Sequence, residues 1–419
     1  MQTKKTILMI PSWYPSKEKP FQGTFFREQA LILQEHYNFV VLRTVENKYF
    51  FLKYLLFMFL GKTKPSISFI KNDNGLQEYY LKFVSVKFFL IPYIIFKIKK
   101  RKGQIREGIG KLELKSENKI RFSNISRLYK KSLLPHFDCV YSLTTQDLVT
   151  LGKTFSDVYN VPHITAEHAP FPWPGTTLSD ATVDAIESAD AFLAISNDKI
   201  RQIAFQRVKL PRTFLVRNYC DESHFTLSKD NHTIKTFLIV AGNNLAKNYP
   251  LFFEAMEELN KIAEKDFKII IAGYGASIGY DTHTEAFEKK VKELSIASKT
   301  TLIRSISREE IPHLYNKCDA FVLSSIEEGL PVCTLEAATS GLPIFSTRCG
   351  GVEDYVDDTI GRIVPISDYK GLANACNDFL NGDITFDNNY IRNKAVSLFG
   401  QAAFKKNMKL AFDYVMGKN

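Results

Sequence analysis

The chain has no uninterrupted apolar run of the roughly 18 residues that a bilayer-spanning helix needs. Its two richest apolar stretches are residues 51–60 and 88–96. Cysteine is scarce: Cys139, Cys220, Cys318, Cys333, Cys349 and Cys376 are the six among 419 residues, and no two stand at C-x-x-C or metal-ligand spacing. This argues against a disulfide scaffold and for free, buried thiols in a reducing compartment. Repeats of solenoid type and low-complexity segments are lacking. The short apolar stretch Ile7–Ile10 is too brief for a signal-peptide core and has no small-residue cleavage site after it, so a cytoplasmic location is expected. Hydrophobic residues at 45% and charged residues at 24% exclude a disordered or collagenous chain. The length suits two or three domains, each with its own core.

The positive charge is local. Residues 97–131 hold thirteen Lys or Arg and three acids, a balance equal to the net +10 of the whole chain. This segment follows the apolar run Phe88–Phe96, and residues 51–60 are also aromatic and aliphatic. Apolar segments flanked by Lys and Arg suit contact with an anionic membrane surface through 51–60 and 88–131, but equally a buried element beside a solvated basic face. Nucleic acid is the weaker partner, since no stacking motif or zinc finger accompanies the charge.

Apolar strands alternate with helical patterns along most of the chain. Strands are expected at Ile7–Ile10, Phe39–Leu42, Cys139–Ser142, Ile164–Ala166 and Asp190–Ser196, with helices at Thr24–Glu35, from Asp147, and after Ser196 to about Arg207. A second set begins with Thr236–Ala241, Asn248–Ile262, Phe267–Ala272 and Ala286–Leu294. It continues through Thr301–Arg304, Ala320–Ser324, a helix holding Leu335–Ala338, and Pro343–Ser346. Residues 45–130 yield no clear pattern. Such alternation implies parallel sheets with crossover helices. Two sets imply two doubly wound domains, 1–210 and 211–399, with a C-terminal helix at about 400–419 packing back on the first. Ligands of open parallel sheets bind beyond the carboxyl ends of the strands, so the residues just after each strand are the candidate site.

The most informative stretch is Ser324-Ser325-Ile326-Glu327-Glu328-Gly329-Leu330-Pro331-Val332-Cys333-Thr334-Leu335-Glu336-Ala337. A strand ends, a carboxylate stands in the loop, and a helix follows. Pro331 can open that helix without losing a useful donor. The amides of Val332, Cys333 and Thr334 then form an anion site suited to phosphate. Glu336, one turn in, either stabilises the helix start or, with Glu328, accepts bonds from sugar hydroxyls.

This stretch resembles the E-x7-E signature of the retaining nucleotide-sugar glycosyltransferases of family 4, with Glu328 and Glu336 at the right spacing. The sequel Ser340–Asp354, with Gly350-Gly351, resembles the next loop of that family. Pro11–Pro15 with Gly23–Ala30, Glu167-His168, Val216–Asp221 with Phe225, Gly242–Asn248 and Gly273-Tyr274-Gly275 match further segments in order. The matches span roughly 1–42 and 135–365. The resemblance implies the GT-B fold, two doubly wound Rossmann-like domains facing each other across a cleft.

It also implies residue roles. Glu336 would bond the donor ribose, Glu328 the hydroxyls of the transferred sugar, and His168 would lie beside that sugar. Lys247 would neutralise the leaving diphosphate, as a Lys point charge can. Gly23 would admit phosphate close to the backbone, and Gly273, Leu330, Pro331, Val332 and Cys333 would complete the donor site. The Arg usual in the family before that Lys is missing from Gly242-Asn243-Asn244-Leu245-Ala246-Lys247; Arg217, Arg304 and Arg27 are candidates to replace it. Retention without a metal or other cofactor is implied, and no D-x-D motif stands at a strand end. The expected partners are a nucleotide-sugar donor and a glycan or lipid-linked acceptor of surface polysaccharide or glycolipid assembly. The competing readings are a nucleotide-sugar epimerase of the same architecture and a non-catalytic membrane adaptor, with nucleic-acid glucosylation behind them.

Overall fold

A computed structural model describes residues 4–15, 23–50, 56, 59–60, 66–71, 75–87, 134–144, 147–168, 177–227, 233–276 and 282–417. The first domain contains β1 (Thr6–Pro11), α1 (Thr24–Leu33), β2 (Asn38–Phe50), β3 (Ser66–Lys71), β4 (Gln77–Lys87), β5 (Cys139–Leu143), α2 (Asp147–Tyr159) and β6 (His163–Glu167). It continues with α3 (Asp180–Glu187), β7 (Ala191–Ala194), α4 (Asn197–Phe205) and β8 (Thr213–Leu215). Its sheet runs β3-β4-β2-β1-β5-β6-β7-β8, with β3 antiparallel to β4 and the other pairings parallel.

β1 shows why this sheet is central. Ile7, Leu8, Met9 and Ile10 are all fully buried. Successive side chains of a strand face opposite ways: Ile7 and Met9 join one core with Phe26 and Leu33 of α1, while Leu8 and Ile10 join another with Leu151 and Phe155 of α2. A strand covered on both faces reads as a continuous apolar run, which is why it is visible in the sequence.

The second domain contains β9 (Lys235–Val240), α5 (Tyr249–Ile262), β10 (Phe267–Ala272), α6 (Thr282–Lys292), β11 (Thr300–Ile303), α7 (Ile311–Asn316), β12 (Ala320–Leu323) and α8 (Val332–Thr339). After these come β13 (Ile344–Thr347), β14 (Gly361–Val364), α9 (Tyr369–Asn381) and α10 (Asn388–Phe399). The sheet is parallel, in the order β11-β10-β9-β12-β13-β14. Phe237 and Ile239 of β9 pack with Phe252 and Met256 of α5, and Leu238 packs on the other face with Leu335 of α8. Strand order reverses beside β1 in the first sheet and beside β9 in the second, and those switch points are where an open α/β sheet receives its ligand.

The first sheet extends through β8 to Leu215, past the expected change of domain at 210. The chain crosses between Val216 and Tyr219, which join the first core, and Cys220, which joins the second. A last helix, α11 (Gln401–Met416), sets Phe404, Met408, Phe412 and Val415 into the first domain's core. Each such side chain stabilises the packing by about 1.5–3 kcal/mol. Tyr37 donates to Asp413 of this helix at 2.8 Å. All six cysteines are free thiols. Among the described residues no helix is long and apolar enough to cross a membrane. Residues 88–131 lie outside the described residues, as do 51–55 and 57–58.

Candidate functional site

β9 and β12 are neighbours in the second sheet, so the loops that leave their carboxyl ends emerge side by side. The loops are bonded together: Ser324 Oγ donates to the Lys247 carbonyl at 2.8 Å, and the Ile326 amide to the Ala246 carbonyl at 2.7 Å. On the other side the Glu328 amide donates to the Cys349 carbonyl at 2.6 Å, and Thr347 Oγ1 to the Ser325 carbonyl at 2.6 Å. Gly350 bridges to Glu328 with φ of 113°, and a Cβ there would strike the Glu328 carbonyl. Glycine at that position therefore lets the two loops touch. The signature loop is held from both flanks before any side-chain chemistry is considered.

Lys247 and Glu328 meet as a consequence. Lys247 Nζ lies 2.5 Å from Glu328 Oε1, which also accepts Ser325 Oγ at 2.7 Å. Both side chains are largely buried. Burial opposes the Lys247 charge, but the Glu328 carboxylate, with Cys333 nearby, outweighs it and holds the ammonium above its ordinary pKa. The pair is thus oriented, presenting the Lys247 cation beside a side-chain acceptor.

α8 begins at Val332, with Pro331 as its N-cap in extended conformation and no side-chain cap. The Thr334 amide donates to the Pro331 carbonyl at 3.1 Å. Of the three expected anion-binding amides, Thr334 is therefore already engaged, leaving Val332 and Cys333 as the donors. One turn on, Glu336 is only 3% exposed. Its Oε1 accepts Arg308 Nη1 at 2.5 Å and its Oε2 accepts the Tyr315 hydroxyl at 3.0 Å. Burial pushes the Glu336 carboxyl up, and Arg308 and Tyr315 counter it. Arg308 reaches across the cleft as well, with Nη2 at 3.4 Å from Glu28 Oε2 on α1.

The opposite wall comes from the first domain. His168 follows β6 and packs edge-on against Phe26 at 4.8 Å between ring centroids. Its Nδ1 lies 3.1 Å from Asn218 Oδ1, while the Asn218 amide nitrogen donates to the Leu330 carbonyl at 3.0 Å. That second bond orients the Asn218 amide, so its oxygen faces the ring and Nδ1 must carry the proton. Nε2 is left with a lone pair, buried and without a partner. Burial is the main cause that pushes the His168 pKa down to about 4, so the imidazole is neutral at physiological pH and Nε2 is an acceptor. Gly23 starts α1 with φ of 69°, and a Cβ there would sit 2.5 Å from the Trp13 carbonyl carbon and oxygen. The close approach is to the chain's own first loop, so Gly23 is accounted for by that packing.

Between the walls lies a cleft of about 630 Å³. Of the residues expected from the sequence, His168, Lys247, Gly273, Glu328, Leu330, Pro331, Val332 and Cys333 line it. Glu336 and Gly23 do not line it; Glu336 is bonded to Arg308, which does. Three residues complete the arrangement without having been expected in it: Arg308, Asn218 as the partner of His168, and Tyr315 as the second donor to Glu336. Arg308 has one sequence signal, its place just after a strand in Ser305-Ile306-Ser307-Arg308. Further bonds tie the walls together at the domain junction: Ser196 Oγ to the Gly329 carbonyl at 3.0 Å, and the Asn197 amide to Asp354 at 2.5 Å.

Residues 222–396 match the profile of the family described as "Glycosyl transferases group 1". The chain is 29% identical over 194 residues to a GalNAc-alpha-(1->4)-GalNAc-alpha-(1->3)-diNAcBac-PP-undecaprenol alpha-1,4-N-acetyl-D-galactosaminyltransferase of Campylobacter jejuni, covering 45% of this chain and 49% of that protein. It is 27% identical over 113 residues to a GDP-mannose-dependent alpha-(1-6)-phosphatidylinositol monomannoside mannosyltransferase of Mycolicibacterium smegmatis, covering 25% and 30%. The chain thus spans less than half of the length of these relatives, 30% of one and 49% of the other. The sucrose-phosphate synthase of Thermosynechococcus elongatus superposes over 99% of this chain and 100% of its own, with a TM-score of 0.70 at 14% identity. The fold is GT-B.

Proposed function

We propose that the chain is a glycosyltransferase that moves a sugar from a nucleoside diphosphate sugar to a glycan or lipid-linked acceptor, retaining the anomeric configuration and using no metal ion. One observation carries this reading: the Lys247–Glu328 pair and the start of α8 face a neutral His168 across a single cleft of about 630 Å³. The diphosphate would lie against Lys247 and the amides of Val332 and Cys333. Glu336 would accept the ribose hydroxyls, and Glu328 those of the transferred sugar. His168 Nε2 would accept a further sugar hydroxyl.

In the reaction the bond from the anomeric carbon to the phosphate oxygen breaks, and the leaving diphosphate gains negative charge. Lys247 and the two amides stabilise that charge as it develops, which lowers the barrier because the interaction strengthens in the transition state. The acceptor oxygen bonds the anomeric carbon from the same face, and its proton passes to the departing phosphate oxygen. The scheme gives Glu328 and Glu336 to hydroxyl binding and is one of direct same-face attack, without a covalent intermediate.

The acceptor is the second part of the proposal. Leu56, Phe59 and Leu60 are 55%, 82% and 56% exposed, and the sequence supplies the +10 segment at 97–131. Exposed apolar side chains, in a chain whose sequence also carries a strongly basic segment, suit peripheral attachment to an anionic membrane, on the cytoplasmic face, where lipid-linked glycans of surface polysaccharide or glycolipid assembly are presented. Two experiments test the reading. Incubation with UDP-, GDP- and ADP-sugars is expected to release the nucleoside diphosphate from at least one, and failure with all of them, with binding of none, overturns the donor assignment. Flotation with anionic vesicles is expected to carry the protein upward at low salt; a protein left in the soluble fraction at both low and high salt overturns the membrane assignment.

A further inference from the structure

Arg308 joins two carboxylates from two domains. Its Nη1 lies 2.5 Å from Glu336 Oε1 in the second domain, and its Nη2 lies 3.4 Å from Glu28 Oε2 on α1 of the first. The two bonds differ in setting. Glu336 is almost wholly buried, whereas the Arg308 and Glu28 side chains are 37% and 31% exposed. The second donor to Glu336, Tyr315, is fully buried and shares its hydroxyl with the Cys333 carbonyl at 3.0 Å. Tyr315 is therefore the fixed partner of the carboxylate, and Arg308, which lines the cleft, is the movable one.

We propose that Arg308 is a displaceable positioning residue: it neutralises and orients Glu336, ties it to Glu28 across the cleft, and yields Glu336 Oε1 to the ribose diol of a nucleoside diphosphate. The inference rests on the donor site given under the proposed function. A group reaching Glu336 from the cleft meets Arg308 first. A buried carboxylate cannot be left without a donor, because an uncompensated buried charge is strongly destabilising. A vicinal diol supplies two hydroxyl donors in a compact space and takes over what the guanidinium gives up. The exchange breaks the Glu28–Arg308 contact, so filling the nucleotide position removes a bond between the domains. The freed guanidinium stays in a cleft that also holds Lys247, where the usual phosphate-binding Arg before that Lys is missing.

Glu28 contributes only to the state in which Arg308 is engaged, so removing it must favour the nucleotide. The test is the binding of UDP, GDP and ADP, and of the 2′,3′-dideoxy counterpart of whichever binds, to the full chain and to Glu28→Gln, measured by calorimetry. Glu28→Gln is expected to tighten the ribonucleotide by about two- to fivefold, the size of a partly exposed ion pair, and to leave the dideoxynucleotide unchanged. Glu28→Ala is expected to do the same. An equal effect on both nucleotides, no effect, or a loss of affinity overturns the inference. Retention of full ribonucleotide affinity by Glu336→Gln also overturns it, since the diol then does not use that carboxylate. If the wild-type chain binds none of the three nucleotides, the donor site falls and this inference with it. Binding by the wild type with Glu28→Gln unmoved removes only the inference.

Discussion

The second domain's wall of the cleft carries its charge in pairs, Lys247 with Glu328 and Arg308 with Glu336, each held at 2.5 Å. The first domain's wall presents Trp13, Phe25 and a His168 that burial keeps neutral. The charged wall stands on loops pinned by hydrogen bonds to the chain on either side, and the aromatic wall on ring contacts and the Asn218 link. Under the proposed function, the difference gives electrostatic stabilisation of a leaving group to one side and shape and hydroxyl acceptance to the other. If that division holds, substitutions on the two walls must differ in both size and kind.

The largest effect is expected at Lys247. Lys247→Met removes the cation proposed to meet the leaving diphosphate and strands Glu328, and turnover of the donor should fall by roughly 100- to 1000-fold. A residual rate close to wild type would break the comparison at its charged side. Glu336→Gln comes next: replacing a charged acceptor by a neutral one should weaken the donor by roughly 10- to 100-fold, read as a rise in KM greater than the fall in kcat.

On the aromatic wall the changes are smaller. Asn218→Ala frees the His168 ring to take the other tautomer and should lower kcat by about tenfold with donor affinity little altered. Equal losses in kcat and affinity would mean that Asn218 mainly supports the Leu330 backbone, to which it also bonds.

The last prediction concerns stability. His168 and the buried His163 titrate at about 4 and about 3, both depressed chiefly by burial. The unfolded chain takes up these protons near pH 6.5, so it binds more protons than the folded chain below that pH. Stability is full above about pH 6.5 and falls as the pH drops toward 4, by up to about 1.4 kcal/mol per pH unit for each ring. Thermal unfolding from pH 7 to 4.5 should show this decline, and His168→Gln should reduce its slope. A melting temperature unchanged over that interval would contradict the buried, neutral state of both rings.

Legibility in the sequence followed burial and locality. β1, β9 and β12 stand out because strands covered on both faces are largely unbroken apolar runs, and β10 because Lys268 alone interrupts Phe267–Ala272. Glu328 and Glu336 stand out because their spacing is a local pattern. β14, spelled Gly-Arg-Ile-Val, is too short and too mixed to register, and β8 has three residues. β3 and β4 pair at the edge of the first sheet, and residues 66–87 show no plain apolar run in the sequence. The contacts that complete the site are long-range: Lys247 meets Glu328 across 81 positions, His168 meets Asn218 across 50, and Arg308 meets Glu28 across 280. No local pattern encodes such pairings. They follow only once the strand order has brought the loops together, and so the pairing of Arg308 with Glu336 was not visible in the sequence.

The most direct test is a crystal structure of the protein with a bound nucleoside diphosphate sugar. The phosphates are expected within hydrogen-bond distance of Lys247 Nζ and the amides of Val332 and Cys333, with the ribose at Glu336 and the sugar between Glu328 and His168. A donor bound outside the cleft between the domains, or inside it with its phosphates away from Lys247 and the start of α8, would contradict the account.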